Sequence, residues 1–349
     1  MKASFVSTAA VSQAMRYSMQ RAQTDLVDAQ KEMATLKVAD TGLALGVRTA
    51  QVINFQRDMD RLNGIVDSNS LVTSRLSSTQ KSLQNLSDTA QEFLSNLSAA
   101  TSGDANPDVL QKRAQATLAT LSSVLNTSMD GQYLFSGTNT DVKPLNSFSD
   151  AGSPAKAAFD AAFQAHFGFS QNSAGAANIT AAQMETFMTD VVEPQFLGSG
   201  WQANWSNASD QPIVGRIALN ETTETSVSAN NDGVRKLAMA AATLSDLFSS
   251  NLSAAGKEAL TTRAVALVGD AISDLADLQA QTGIIEKRVA DASTRIKLQA
   301  DLFEKHLLGL EGVDPTEAAT RVSDLLTHIE TSYALTARIQ QLSLLKYLS

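Results

Sequence analysis

The sequence predicts a mainly α protein: an elongated antiparallel bundle of long helices, or coiled-coil rod, built from both chain ends. A mixed α/β or β-rich outer domain is expected between the two arms. Three observations carry this. Aromatics are 5% of the 349 residues and apolar residues 43%, so the core draws on Leu, Ala, Val, Ile and Met, which favours helices over strands. Apolar residues recur every three or four positions over very long stretches, the signature of a helical stripe. Only in the middle of the chain does that rhythm fail.

The first stripe is Val11, Met15, Met19, Ala22, Leu26, Ala29, Met33 and Leu36. Asp40-Thr41-Gly42 and Gly46 then interrupt it; Gly inside a helix costs ~1 kcal/mol against Ala, so a break or linker is expected there. A second stripe runs Val52, Phe55, Met59, Leu62, Ile65, Asn69, Val72, Leu76, Thr79, Leu83, Leu86, Ala90, Phe93 and Leu97. Asn69 and Thr79 place polar groups in this seam, a device that fixes register at some cost in stability. At ~1.5 Å per residue, residues 47–101 would span roughly 80 Å, more than one compact domain. Ser102-Gly103-Asp104 ends the stripe. A third helix should start near Asn106-Pro107-Asp108, with Pro in its first turn, and carries Leu110, Ala114, Leu118, Leu121 and Leu125.

Residues 146–232 differ. They hold 9 of the 19 aromatics and both tryptophans, and 9 acidic against 2 basic residues, so −7 of the net −9 lies here. Phe159, Phe163 and Phe167 fit one short helix, and Met184, Phe187 and Val191 another. Trp201 to Val227 reads as strands and turns, with alternation from Ile213 to Leu219.

The helical rhythm returns with Val268, Ile272, Leu275, Leu278, Thr282, Ile285, Val289, Ala292, Ile296, Ala300, Phe303, Leu307 and Leu310. Its length roughly matches that of residues 47–101, as antiparallel partners should. Asp314-Pro315 reads as an N-cap followed by Pro at the first helical position. The last helix carries Val322, Leu325, Ile329, Ser332, Leu335, Ile339, Leu342, Leu345 and Leu348. The expected segments are therefore 1–46 (assembly helix and linker), 47–145 (rod, N-terminal half), 146–232 (outer domain), 233–312 (rod, C-terminal half) and 313–349 (assembly helix).

Both end helices are amphipathic and about 30 residues long, and a lone pair of this kind has little to bury against. Burial in another copy of the chain is expected. The candidate assembly residues are Val11, Met15, Met19, Ala22, Leu26 and Met33, with Leu325, Ile329, Leu335, Ile339, Leu342, Leu345 and Leu348. The methionines suit an adaptable interface as well as a core.

Chemistry is a poor fit. A net charge of −9 argues against a duplex nucleic-acid partner and a polybasic membrane anchor. No cysteine means no thiolate nucleophile, disulfide or cysteine metal site, and His166, His306 and His328 stand far apart. Gly256-Lys257 is followed by Glu258 and is no phosphate loop. Around Asn230, Asp232 and Gly233, a calcium loop would begin at Ser228 and end at Met239, neither a carboxylate. Asp190 and Glu193 read as a solvated face. Trp201 and Trp205, four apart, could stack on a sugar, though core packing explains them as well. The chain is read as no enzyme, with no cofactor and no metal. There is no apolar run of membrane-spanning length, and no cleavable signal peptide is expected at the start.

Two motifs carry a resemblance. One is Val313-Asp314-Pro315-Thr316-Glu317-Ala318-Ala319, then Tyr333-Ala334-Leu335, then Gln341-Leu342-Ser343-Leu344-Leu345-Lys346-Tyr347-Leu348. The other is Gly131-Gln132-Tyr133-Leu134-Phe135-Ser136-Gly137-Thr138 with Lys143-Pro144-Leu145. Over about residues 1–145 and 233–349 the chain resembles the bacterial flagellin family, and within it the hook-associated proteins that join hook to filament. It departs at Thr35 to Gly46, where the family often has a Ser-Gly-x-x-Ile and Asp-Asp-Pro-Ala stretch. The resemblance implies a structural subunit of the extracellular flagellum, exported through the type III apparatus without a cleavable signal. It implies terminal helices packed in intersubunit coiled coils. The implied partners are flagellin, a neighbouring hook-associated protein, copies of itself and an export chaperone. A short flagellin that builds the filament itself and a surface glycan-binding module are the competing readings.

Overall fold

The computed structural model describes residues 8–101, 106–248 and 251–348, with side chains in the two end helices from residue 10 to residue 338. In chain order the elements are α1 (Thr8–Thr35), α2 (Thr41–Leu45), α3 (Thr49–Thr101), α4 (Pro107–Leu125), β1 (Ser128–Met129), β2 (Gln132–Tyr133), α5 (Pro154–Phe167), α6 (Ala181–Phe187), α7 (Glu193–Phe196), β3 (Val214–Ala218), β4 (Glu221–Glu224), α8 (Asp232–Leu247), α9 (Ala254–Glu311) and α10 (Pro315–Leu348). The class is mainly α, with long helices packed on one another and two small antiparallel sheets.

By its contacts the chain divides into two units, Met1–Gly64 with Ile296–Ser349, and Ile65–Arg295. The divisions fall inside α3 and α9, which run on unbroken, whereas the segments read from the sequence end at helix breaks.

In the first unit α1 and α10 lie side by side. Gln23 faces Tyr333 and Glu32 faces Arg321, so the helices are antiparallel. Phe55 of α3 stacks on Phe303 and His306 of α9, with ring centroids 5.5 and 5.7 Å apart.

The second unit holds most of the core. Asn69 meets Ser293, and Gln80 meets the main-chain oxygen of Gln279, which fixes α3 antiparallel to α9 here. The aromatics of residues 146–232 share one hydrophobic core with α3, α4, α8 and α9. Residues Leu237 to Phe248 are all buried. α8 carries a helical stripe in Val234, Leu237, Ala241 and Leu244, and from Leu237 onward its other faces are covered as well.

The inserted segment is mixed, as expected, but helices outweigh its single hairpin, and the β-rich alternative fails. Strands were also expected from Trp201 onward. Instead Trp201–Trp205 forms one π-helical turn, and β3 begins only at Val214. The turn stacks the two indoles 5.6 Å apart, and Phe148 stacks on Trp205 at 5.2 Å. Trp201 Nε1 donates to Asn230 Oδ1 at 2.8 Å. Both tryptophans are buried, so the sugar platform is excluded by packing.

Between the long helices and this segment stands the motif that begins at Gly131. Asp130 and Gly131 have φ of 51° and 79°, a type I′ turn that joins β1 to β2 with the twist a tight hairpin needs. Arg75 of α3 holds it, donating to Gln132 Oε1 at 3.0 Å and to Tyr133 O at 2.7 Å. Gly137 has φ +61°, and a Cβ there would sit 2.3 Å from Ser209 O. Only glycine fits that position.

Candidate assembly surface

Residues 35–48 turn the chain from α1 toward α3, and their backbone groups are tied down. Val38 N donates to Glu311 O at 2.9 Å and Val313 N to Leu36 O at 3.1 Å, which makes a two-rung bridge across to the start of α10. Lys37 pairs with the buried Glu311 at 3.4 Å. Ala39 N donates to Glu32 Oε1, and Lys31 Nζ to Ala39 O. Asp40 caps α2 by accepting from Leu43 N at 3.0 Å. A helix break read from the glycines is therefore a built corner.

Asp314 starts α10 as the sequence predicts. Its carboxylate accepts from the backbone N–H groups of Thr316 and Glu317, which holds its pKa below the ordinary value. Arg321 then reaches Glu32 across the pair at 2.8 Å and Glu317 on its own helix at 2.9 Å.

The expected stripes divide by burial. Ala29, Ala318, Val322 and Ile329 are buried. Val11, Met15, Met19, Ala22, Leu26 and Leu325 are half-buried. Met33 and Leu335 are exposed. The side chains of Ile339, Leu342, Leu345 and Leu348 lie outside the described residues. Among the described residues the pair thus covers only a narrow strip, and many of the stripe residues described there keep contact with water.

Other apolar side chains face outward, and periodicity did not single them out. Tyr17, Val27, Leu326 and Tyr333 are exposed on α1 and α10. Leu43 and Val47 of the corner are 87% and 98% exposed. The sequence held a signal for this last pair: two aliphatics four apart, just after a capping Asp40. Among the described residues no group of three metal-ligating side chains occurs.

Two family models match this architecture. The bacterial flagellin N-terminal helical region matches residues 6–140, and the bacterial flagellin C-terminal helical region matches residues 265–348. Together they account for more than half of the chain. The chain belongs to the bacterial flagellin family. Its members are structural parts of the extracellular flagellum, and a structural role in motility follows for this chain. No helix among the described residues is long and apolar enough to cross a membrane.

A solved structure from Vibrio parahaemolyticus, assigned as a flagellar hook-associated protein, aligns over 75% of this flagellin-family chain and 96% of its own, with a TM-score of 0.51 at 11% identity. At that identity the likeness concerns the fold. No match is found among curated proteins.

Proposed function

We propose that this flagellin-family chain is the adapter that joins hook to filament. Its end helices would pack against copies of itself, a hook-associated neighbour below and flagellin above, after delivery by an export chaperone. The carrying observation is the α1–α10 pair. The two end helices form one antiparallel couple that, among the described residues, buries four apolar side chains and leaves Tyr17, Val27, Leu326, Tyr333 and Leu335 facing out. An amphipathic pair with apolar side chains on its outer face gains stability when neighbours cover it. The fold likeness to a protein assigned as hook-associated, over nearly all of that protein, is in keeping with the adapter reading.

Deletion of the gene tests this. Hooks should remain, while flagellin is still exported but lost to the medium for want of a surface to polymerise on. Normal filaments in the deletion strain would refute the adapter role. Shortened filaments with secretion unchanged would instead mark the chain as a filament subunit.

A further inference from the structure

The corner at residues 41–48 presents a pair of aliphatic side chains that its own chain leaves uncovered. Leu43 is 87% and Val47 98% exposed. They are not on a loose loop. Asp40 caps Leu43 N, Ala44 N donates to Asp40 O at 3.0 Å, and Thr49 Oγ1 donates to Thr41 O at 3.2 Å. A fixed apolar pair loses little conformational entropy when it docks.

On the same unit, α10 carries a groove of about 360 Å³ lined by Glu317, Thr320, Arg321, Asp324, Leu325 and His328. Leu325, half-buried, is its apolar lining residue, and Glu317, Arg321 and Asp324 bring charge to it. Leu43 and Val47 do not occupy the groove of their own chain, as their exposure and its lining show. A second copy can supply the pair.

Charge selects the orientation. Arg48 follows Val47, and Asp324 stands in the groove; neither forms an ion pair among the described residues. Arg321 of the groove is occupied by Glu32 and Glu317, which leaves Asp324 as the open charge.

We propose that Leu43 and Val47 of one copy seat in the α10 groove of the next, with Arg48 meeting Asp324. This rests on the reading that copies of the chain assemble together. The contact is heterologous, since the two surfaces differ. Repeated, it generates a ring or helix rather than a closed dimer, the arrangement a tubular layer needs.

The chain has no cysteine, so introduced cysteines report unambiguously. Full-length Leu43→Cys and Thr320→Cys chains are produced together in cells lacking the native copy, and isolated flagella are treated with a short bismaleimide. A cross-linked dimer should form from the mixture and from neither variant alone. Leu43→Cys dimerising by itself would overturn the proposal, because it would mean that the corners meet each other. Chain present in the flagella without mixed dimers would overturn it too, while leaving the adapter reading intact. Absence of the unmodified chain from flagella would defeat both.

Charge exchange gives a second readout. Arg48→Glu and Asp324→Arg should each lower incorporation at least about tenfold, since like charges then face each other, and the double variant should recover most of it. A double variant as poor as either single one would overturn the pairing.

Discussion

Asn69 donates its side-chain amide to the main-chain oxygen of Ile217 at 2.9 Å, from within the apolar stripe of α3. The same amide reaches Ser293 Oγ of α9 at 3.0 Å. Ile217 is buried with Leu76, Val289 and Ala292, so β3 plugs into the seam between the two long helices. At the turn of that hairpin, Glu221 receives Arg288 and Arg295 of α9, each at 2.8 Å. A polar residue that looked like a register device inside a two-helix seam in fact locks three elements together.

Asn69→Leu should therefore destabilise the chain although it extends the apolar stripe. It strips a donor from the buried Ile217 oxygen, and a buried polar group left unpaired costs about 1–3 kcal/mol. Urea denaturation followed by circular dichroism measures this. A variant as stable as the parent would mean that the hairpin does not depend on Asn69.

Glu221 gives the same hairpin a pH dependence. The hydrogen bond from Arg288, helped by the charges of Arg288 and Arg295, holds its pKa below the ordinary 4.5. A carboxylate with a lowered folded pKa contributes stability above its unfolded value and loses it as pH falls through the folded one. Amide protection of residues 214–224, corrected for intrinsic exchange, should hold above pH 4.5 and decline below it. In Glu221→Gln that step should vanish, with protection lower near neutral pH and the global melting temperature nearly unchanged, since the pair is exposed.

The long helices and their ends were legible because each carries one signal that its environment respects. Asn106 caps α4 with Pro107 behind it, Asp314 caps α10 with Pro315 behind it, and the stripes of α3 and α9 face each other. The parts that escaped are those where burial is not one-sided. α8 does carry a stripe in Val234, Leu237, Ala241 and Leu244, but Leu237 to Phe248 is buried on its other faces too, and the stripe does not say what covers them. Trp201 and Trp205 sit among Gly, Asn and Ser that suggest loops, and their mutual stacking, a tertiary fact, decides the π-helical turn. The corner at Leu43 and Val47 escaped because glycines flag a break but say nothing of what the break displays.

Trp201 and Trp205 report on that interior. Buried indoles stacked on each other and on Phe148 should resist iodide quenching and show no saturable response to a panel of sugars. Trp205→Ala should cost about 3–5 kcal/mol, as large aromatic deletions in cores do. Strong iodide quenching in the folded chain would contradict the packing.

The two end helices should lose protection together. Ala29 of α1 is buried in a unit where α10 is the neighbouring long helix, and Gln23 and Glu32 find Tyr333 and Arg321 there. A chain ending at Glu311 should show residues 8–35 exchanging nearly as fast as unstructured peptide, while residues 75–95 keep their protection. Unchanged protection of α1 in the shortened chain would mean that α1 is held by something other than α10.

The acidic segment at 146–232 lies outside both helical arms in sequence, so on the adapter reading proposed above a chain joining Leu145 to Gly233 by a short linker should restore filaments at least in part if that segment merely decorates the surface. The packing points the other way. Phe159, Phe163, Phe187, Phe196, Trp201 and Trp205 belong to the same core as Leu83, Leu121, Leu237 and Leu244. Arg235 of α8 donates to the oxygens of Phe196 and Gly198, and Arg263 of α9 pairs with Glu193. Removing the segment would open the buried flank of α8 to water, and each large side chain so exposed forfeits about 1.5–3 kcal/mol, against a total stability of about 5–15 kcal/mol for an ordinary domain. The shortened chain should therefore melt without a cooperative transition and fail to restore filaments, while α1 and α10 are left chemically intact. A cooperative melt with filaments restored would show instead that the long helices suffice, and that the aromatic core is an addition to a fold already stable without it.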